Sequence, residues 1–285
     1  MKLRCAFLTM IAGIFLIFAA TGICQVKTSP VESEERYGQS SINWSAGYIE
    51  AMGLGASPDS AAAKIQNRPI ALRAAKDMAS RNLAEIVRMA QVDSATKLGT
   101  LMQQSSAVNA QVGALVQGAI VADQQFMPDG TVEIKLRIAL YRELGQAIFP
   151  LIVTAKKEAM PPAPPAAAGA APAAFTGIVV DARGTGARPA IFPRILDEDG
   201  KEIYAATMVD GEAFTQFGMS GYTREIMIGP SHPRVAPNVL IVKALRASGS
   251  GKADVVVNKE DAQKINAASQ NAGLFQQCKV MIVVD

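Results

Sequence analysis

The chain has 285 residues, of which 49% are hydrophobic and 19% charged, and its 28 lysines and arginines exceed its 25 acidic residues by three. This composition argues against a nucleic-acid-binding protein with a basic stripe and against an acidic tail, and it is apolar enough for well-packed cores. Two of the basic residues, Lys2 and Arg4, lie at the extreme N-terminus, so the remainder is close to neutral.

An apolar segment follows these two basic residues. Residues 5–20 carry no charge, and small residues follow at positions 19–22. A basic start, an apolar stretch and small residues, in this order, are typical of a secretory signal peptide. We therefore predict a signal peptide at residues 1–24 and an exported protein, located in the periplasm or the outer envelope.

Cys24 ends this segment, and three alternatives stay open for it. Lipid attachment requires a small residue directly before the cysteine, whereas Ile23 is large. Cleavage after Gly22 or after Cys24 agrees better with the small-x-small rule. An uncleaved anchor is the third alternative, because residues 5–24 form about 20 uncharged positions, just enough to span a bilayer. Membrane contact is expected only through this segment, if it is uncleaved or lipidated.

The next segments predict a flexible leader and the start of a first domain. Residues 25–43 are polar and predict the leader, and the domain follows at 44–153. Residues 47–56 predict a short strand, and an Ala-rich helical stretch opens at Pro58-Asp59. From Pro69 onward, apolar residues recur at spacings of three and four, which predicts an amphipathic helix. This apolar stripe consists of Leu72, Ala75, Ala79, Leu83, Ile86 and Ala90.

A β-hairpin is the predicted partner of that helix. Residues 131–140 alternate strictly between apolar and polar, as in a half-buried antiparallel strand. Residues 114–126 are expected to form the preceding strand, joined to it by the turn residues Pro128-Asp129-Gly130. Residues 94–112 are amphipathic and are predicted to be helical.

The polar face of the predicted hairpin is a candidate interaction face. It bears Glu133, Lys135 and Arg137, and the strand edges of the hairpin can be paired by a neighbouring subunit. The alternative is a solvated charged face without a partner.

Three segments, in this order, resemble the Lpp-twenty-type lipoprotein family: "GYIEAMGLGA", "ALRAAKDMASRNLAEIV" and "VQGAIVADQQFMPDGTVEIKLRIAL". The N-terminal domain of the flagellar H-ring protein FlgT is similar, and the match spans roughly residues 44–145. The resemblance implies a small α+β domain with a helix on an antiparallel sheet, similar to dodecins. It also implies a cell-envelope location, in several members beside flagella, and it transfers no catalytic residue. Ile23 departs from the lipoprotein members.

A Pro/Ala-rich linker at residues 154–174 separates this domain from a second one at 175–285. Its prolines alternate with alanines without an apolar period, which predicts a semi-rigid spacer that holds the second domain at a distance. The second domain is predicted to be α/β and rich in strands. Nearly continuous β-branched runs at 178–180, 255–257 and 280–284 indicate strands that are buried on both faces.

Two local signals refine this second domain. Asn258 is the predicted cap of a helix between the last two strands, and a strand, helix and strand in so short a span predict a right-handed parallel crossover. A hairpin is expected around Asp199-Gly200. Cys278 is most simply a small buried apolar residue.

The candidate sites of the second domain each have a structural alternative that we favour. His232 is the one histidine, but Ser231 is its direct neighbour and cannot align with it as a catalytic pair, so a surface loop is favoured. Residues 197–199 could hold calcium but lack the ligand spacing of a calcium loop, so a turn is favoured. Gly184-Thr185-Gly186 could cradle phosphate, but no helix clearly begins after it, so a phosphate site is not favoured. Asp181 and Arg183 are read as a solvated pair.

Three classes of function therefore remain. The favoured one is a non-enzymatic envelope protein that assembles with itself or with envelope or flagellar-basal-body proteins. The second is a module that binds a small ligand or glycan through the loops at 183–189 and 211–223. An enzyme is the least favoured class, and we predict no catalytic, cofactor-binding or metal-binding residue.

Overall fold

The computed structural model describes residues 32–56, 68–159, 175–227 and 229–285. Several predictions fall outside these residues: the signal peptide with Cys24, the helical start at Pro58, and the linker beyond Ala159. Within the described residues the protein is a mixed α+β molecule with two sheets and six α-helices. None of these described helices is both long enough and apolar enough to cross a membrane.

The first sheet is antiparallel and has five strands in the order β1-β2-β3-β5-β4. Its strands are β1 Glu34–Tyr37, β2 Ser40–Asn43, β3 Tyr48–Gly55, β4 Ile120–Phe126 and β5 Val132–Ala139. The predicted strand at 47–56 and the predicted hairpin are thus confirmed as β3 and as β4 with β5. The alternation along β5 is complete, with every apolar residue from Val132 to Ile138 buried.

The prediction of a flexible leader is wrong for residues 34–43. These residues form β1 and β2, which turn at Gly38, and β2 pairs with β3. Ile42 is fully buried in the core, but the apolar residues of this polar stretch are too few and too scattered to give a periodic signal. Pairing with an existing sheet stabilises these strands.

Helix α1, Arg68–Met89, lies across the first sheet and carries most of the predicted stripe on its buried face. The fit is close because alanines meet glycines. A Cβ atom on Gly53 would overlap the carbonyl oxygen of Ala75 and the nitrogen of Ala79, and one on Gly55 would overlap the carbonyl oxygen of Ala71. Small residues on both surfaces therefore set the distance between helix and sheet.

We call the described residues up to Ala159 the first half of the chain, and those from Phe175 onward the second half. The remaining helices of the first half differ from the prediction in their bounds. Helices α2, Leu98–Gln104, and α3, Ser106–Gln117, replace one helix at 94–112, because Ser105 leaves helical geometry and accepts a hydrogen bond from Val108 N. Helix α3 also includes the first residues that were predicted as strand. A π-helical turn at Leu140–Gly145 leads into α4, Gln146–Ala159, so the first residues of the predicted linker are helical.

The second sheet has seven strands in the order β8-β7-β11-β10-β6-β12-β9. Its strands are β6 Gly177–Asp181, β7 Ile195–Leu196, β8 Glu202–Tyr204, β9 Gly221–Thr223, β10 Val239–Ser248, β11 Asp254–Val257 and β12 Val280–Val283. Helix α5 spans Gly211–Phe217, and α6 spans Lys259–Ala272. Every residue of β11 and β12 is buried, and the β7–β8 hairpin forms as predicted.

The predicted parallel crossover around α6 is wrong. Strand β11 pairs antiparallel with β10, whereas β10 and β12 both run parallel to β6. Strands β11 and β12 therefore run in opposite directions, with β10 and β6 between them. The cap prediction is confirmed, since Asn258 accepts a hydrogen bond from Asp261 N. A capped helix fixes its own start but does not fix which strands it joins.

The two halves share one hydrophobic core, so the expectation that a spacer holds the second domain at a distance is wrong. The backbone nitrogens of Ile191 and Phe192 donate to the carbonyls of Gln91 and Val92 at 3.0 and 2.7 Å. The two halves are therefore joined by main-chain hydrogen bonds as well as by side-chain packing.

Candidate functional site

A cleft of about 910 Å³ lies where the two halves meet. The first half contributes the turn after β2 and the π-helical turn, and the second half contributes α5 with the loop before β9. Its lining includes Trp44, Tyr141, Arg142, Glu212, Phe217, Gly221 and Arg234. Volumes of this size are typical of small-ligand sites.

Aromatic residues form the wall of the cleft on the first half. Trp44 is fully buried and meets Tyr222 of the second half edge to face, with ring centroids 6.0 Å apart. The Tyr141 hydroxyl donates to the Trp44 carbonyl at 3.3 Å. Burial raises the pKa of Tyr141 well above its ordinary value, and burial likewise raises the pKa of Tyr222 to about 12. Both phenols therefore stay neutral, and Tyr141 forms part of the wall of the cleft.

Gly218 allows this wall to contact the second half. It ends α5 with a φ of 71°, and a Cβ atom there would lie 2.6 Å from the ring of Tyr141. A side chain at this position would meet both backbone strain and a clash. The Tyr141 ring thus packs directly on the backbone at the end of α5.

Arg234 lies at the base of the cleft. Its Nη1 donates to the carbonyls of Gly218 and Cys278 at 3.1 and 3.0 Å, and its Nη2 donates to the carbonyl of Phe217. Among the described residues, the titratable groups that act on this guanidinium are tyrosines and Cys278, with no carboxylate among them. Burial lowers the pKa of Arg234, although the group stays positively charged at neutral pH. The cleft therefore has a half-buried cation without a counter-charge.

The two charged groups at the rim of the cleft have opposite signs and add no net charge to that of Arg234. Arg142 and Glu212 both line the cleft and are exposed. With Arg234, they give the lining two positive charges and one negative charge, a formal net charge of +1 (2 − 1). A polar cleft with one excess positive charge favours a ligand that carries one negative charge.

The predicted interaction face lies elsewhere, on the solvent side of the first sheet. Lys135 lies 3.6 Å from Asp123 and 3.7 Å from Glu133. Arg137 bonds to Glu50 and lies over the ring of Tyr48, 4.0 Å from its centroid. Charges of both signs on this face are therefore paired within the sheet.

Of the two outer strand edges of the predicted hairpin, the described sheet leaves only that of β4 open. Strand β5 is internal, between β3 and β4, so its two edges are already paired. The edge strands of the described sheet are β1 and β4, and on β4 the side chains of Ile120, Val121 and Phe126 are exposed. Whether Glu133, Lys135 and Arg137 contact a partner stays a prediction.

The other candidates take the structural roles that were favoured. The ring of His232 accepts the Arg234 backbone N–H at 3.1 Å, within a turn, and burial lowers its pKa. Asp197 closes the β7–β8 turn by accepting the backbone N–H groups of Asp199 and Lys201. No group of acidic, histidine or cysteine side chains in the described part of the chain could hold a metal ion.

Two further candidates are also occupied by the chain itself. The Gly184 N–H donates to the Asp285 carboxylate at 2.8 Å, so this N–H already has an anionic partner. Asp181 and Arg183 form an ion pair at 2.8 Å, and hydrogen bonding to Arg183 lowers the pKa of Asp181. These contacts confirm the solvated pair that the sequence predicts.

The sequence predicted one wall of the cleft and missed the rest. The glycine- and aromatic-rich loop at 211–223 was a candidate binding loop, and its residues line the cleft. Trp44, Tyr141 and Arg234 were not recognised, because 93 or more residues separate Tyr141 from its two cleft partners. The available signal was an arginine in a proline-rich loop, "SHPRVAP", which by itself indicates only a turn.

Comparison with known proteins adds one finding for the second half. Residues 177–285 match the family model of the second domain of Treponema pallidum Tp0624. No curated protein matches the chain significantly. The match begins at the first residue of β6 and covers the whole second sheet with α5 and α6.

Proposed function

We propose that this protein is a non-enzymatic, exported component of the cell envelope that acts by assembling with itself or with an envelope partner, flagellar-basal-body proteins included. The apolar N-terminal segment supports export. Helix α1 on the antiparallel first sheet is compatible with the dodecin-like arrangement that the Lpp-twenty and FlgT resemblance implies. Under this proposal the two halves act as one body, since they share a core.

The open edge of β4 is the observation that carries the assembly role. Ile120 and Val121 are 62% and 48% exposed. Their strand, β4, is at the edge of the described sheet and has no strand paired on its outer side. Edge strands with exposed apolar residues are templates for pairing with another chain. The paired charges of Glu133, Lys135 and Arg137 lie in the adjacent strand and would border such a contact.

Light scattering of the purified chain tests this role. We expect a mass above that of one chain, and we expect Ile120→Lys to lower it, because a charge on an edge strand opposes pairing. Ile241→Lys is the matched control, since Ile241 is 51% exposed on the second sheet. A monomeric wild-type chain that recovers no envelope protein in a pull-down would contradict the proposal.

Export and the state of Cys24 are tested separately. Fractionation should place the protein in the periplasm or envelope, and full-length chain in the cytosol would contradict export. Since Ile23 is unfavourable before a lipidated cysteine, a fatty-acid probe should leave the protein unlabelled. A labelled band that disappears in Cys24→Ala would show that the protein is a lipoprotein.

A binding module for a small ligand or glycan is the second candidate function. The cleft between the halves favours it, because that cleft combines aromatic walls with a half-buried arginine that lacks a counter-charge. Crystals soaked with candidate sugars and peptides would test it directly, with density expected in the cleft.

A further inference from the structure

The charge in the cleft narrows the class of ligand. We propose that the cleft binds a small molecule carrying a single carboxylate, held by the guanidinium groups of Arg142 and Arg234. This inference deepens the second candidate function and rests on it. It does not depend on assembly through the β4 edge.

The first argument is the fixed position of Arg234. Three backbone carbonyls, those of Phe217, Gly218 and Cys278, orient its guanidinium group at the base of the cleft. A guanidinium has more N–H donors than these three carbonyls use. Carbonyl oxygens orient the group without neutralising it, so a planar carboxylate can accept the remaining donors and supply the missing charge.

The second argument is the close packing around Arg234 at the base of the cleft. Arg234 Nε lies 3.2 Å from the point where a Cβ atom on Gly221 would be. Phe217 lies beside the same guanidinium, whose carbon is 6.0 Å from the ring centroid. The aromatic rings of Phe217 and Tyr141 border the cleft and suit the apolar face of a sugar ring or a short peptide.

The third argument is the net charge of the lining. Arg142, Arg234 and Glu212 sum to +1, which one carboxylate neutralises and a doubly charged phosphate exceeds. Arg142 is exposed at the rim, where it can approach a ligand held by Arg234. Glu212, on the same rim, opposes an anion.

Two matched probe pairs test the carboxylate and distinguish its source. N-acetylmuramic acid is compared with N-acetylglucosamine, which lacks the carboxylate, and acetyl-Ala-Ala is compared with its C-terminal amide. Calorimetric titration of the full chain should show binding of an acidic member and at least tenfold weaker binding of its neutral match. Binding in the sugar pair indicates an acidic sugar, and binding in the peptide pair indicates a peptide carboxylate.

Variants then locate the binding in the cleft. Arg142→Gln should weaken binding of the acidic probe about tenfold, and Glu212→Gln should strengthen it about threefold. Arg73→Gln, on the exposed face of α1, is the matched control and should leave the affinity unchanged. All three positions are exposed, so these variants are expected to fold. Arg234→Lys keeps the charge and tests whether the planar group is required.

Each result decides the proposal. Equal binding of acidic and neutral probes would overturn the carboxylate class and leave a ligand-binding cleft in place. Failure of all four probes to bind, or affinities unaffected by both Arg142→Gln and Glu212→Gln, would overturn the site itself. Neither result would bear on assembly, which is measured by mass.

Discussion

The ring of Phe149 in α4 stacks on the ring of Phe214 in α5, with centroids 4.7 Å apart and planes 18° apart. Phe192 also stacks on Phe214, with centroids 5.0 Å apart, and lies 6.2 Å from Phe149. These three rings come from both halves of the chain, so the stack joins the halves directly.

Removal of the Phe214 ring should destabilise the whole molecule. Because Phe214 is fully buried, Phe214→Ala is expected to lower the free energy of unfolding by about 3–5 kcal/mol. Urea denaturation monitored by the fluorescence of Trp44, which is the one tryptophan and lies at the junction, measures this loss. Phe217→Ala is the control, since Phe217 is 40% exposed. A loss below about 1 kcal/mol for Phe214→Ala would contradict a joint core.

A methyl group at Gly53 should separate helix α1 from the first sheet. The added Cβ atom overlaps backbone atoms of α1, which cannot move aside as a side chain can. We expect Gly53→Ala to lower the free energy of unfolding by about 1–3 kcal/mol. Gly113→Ala, in α3 with open space around its Cα, should instead raise it by about 0.5–1 kcal/mol. Thermal denaturation of both variants checks the opposite signs; equal shifts would refute the close packing.

The pair Arg194–Asp254 should contribute more than an ordinary surface ion pair. Asp254 is 1% exposed and accepts hydrogen bonds from Arg194, and this bonding raises the pKa of Arg194. Asp254→Asn should lower the free energy of unfolding by about 2–3 kcal/mol, near the low end for buried pairs because Arg194 is partly exposed. Asp199→Asn, which removes the exposed partner of Lys259, should change it by less than about 1 kcal/mol. Equal effects in urea denaturation would show that burial is unimportant here.

The Cys278 thiol should resist alkylation in the folded protein. Burial raises its pKa from 9.0 to about 12, so at pH 8 almost no reactive thiolate forms. Peptide mass mapping after iodoacetamide treatment should find Cys278 unmodified in buffer and modified in urea. Equal labelling in both conditions would contradict burial.

The same pKa shift predicts how stability depends on pH. Between pH 9 and 12 the folded state keeps the Cys278 proton that the unfolded state has lost. Stability should therefore decrease as the pH rises through this window. Cys278→Ala, measured over the same range, should show a smaller decrease than the wild-type chain, and an identical decrease would contradict the assignment.

Local patterns in the sequence determined single strands and the cap of a helix. The alternation from Val132 to Ile138, the β-branched runs of β11 and β12 and the Asn258 cap all appear as predicted. Each of these signals lies within a few residues, because side-chain periodicity and capping depend on the geometry of one strand or one helix end.

Tertiary structure alone decided how these elements combine. Strand β2 forms because β3 offers unpaired backbone groups, and β1 then pairs with β2. Strand β11 runs opposite to β12 because it pairs antiparallel with β10, whereas β10, β6 and β12 are parallel. The cleft joins Trp44, Tyr141 and Arg234 through contacts across 93 or more residues. No local periodicity encodes such distant pairs, since they depend on which surfaces pack together once the elements have formed.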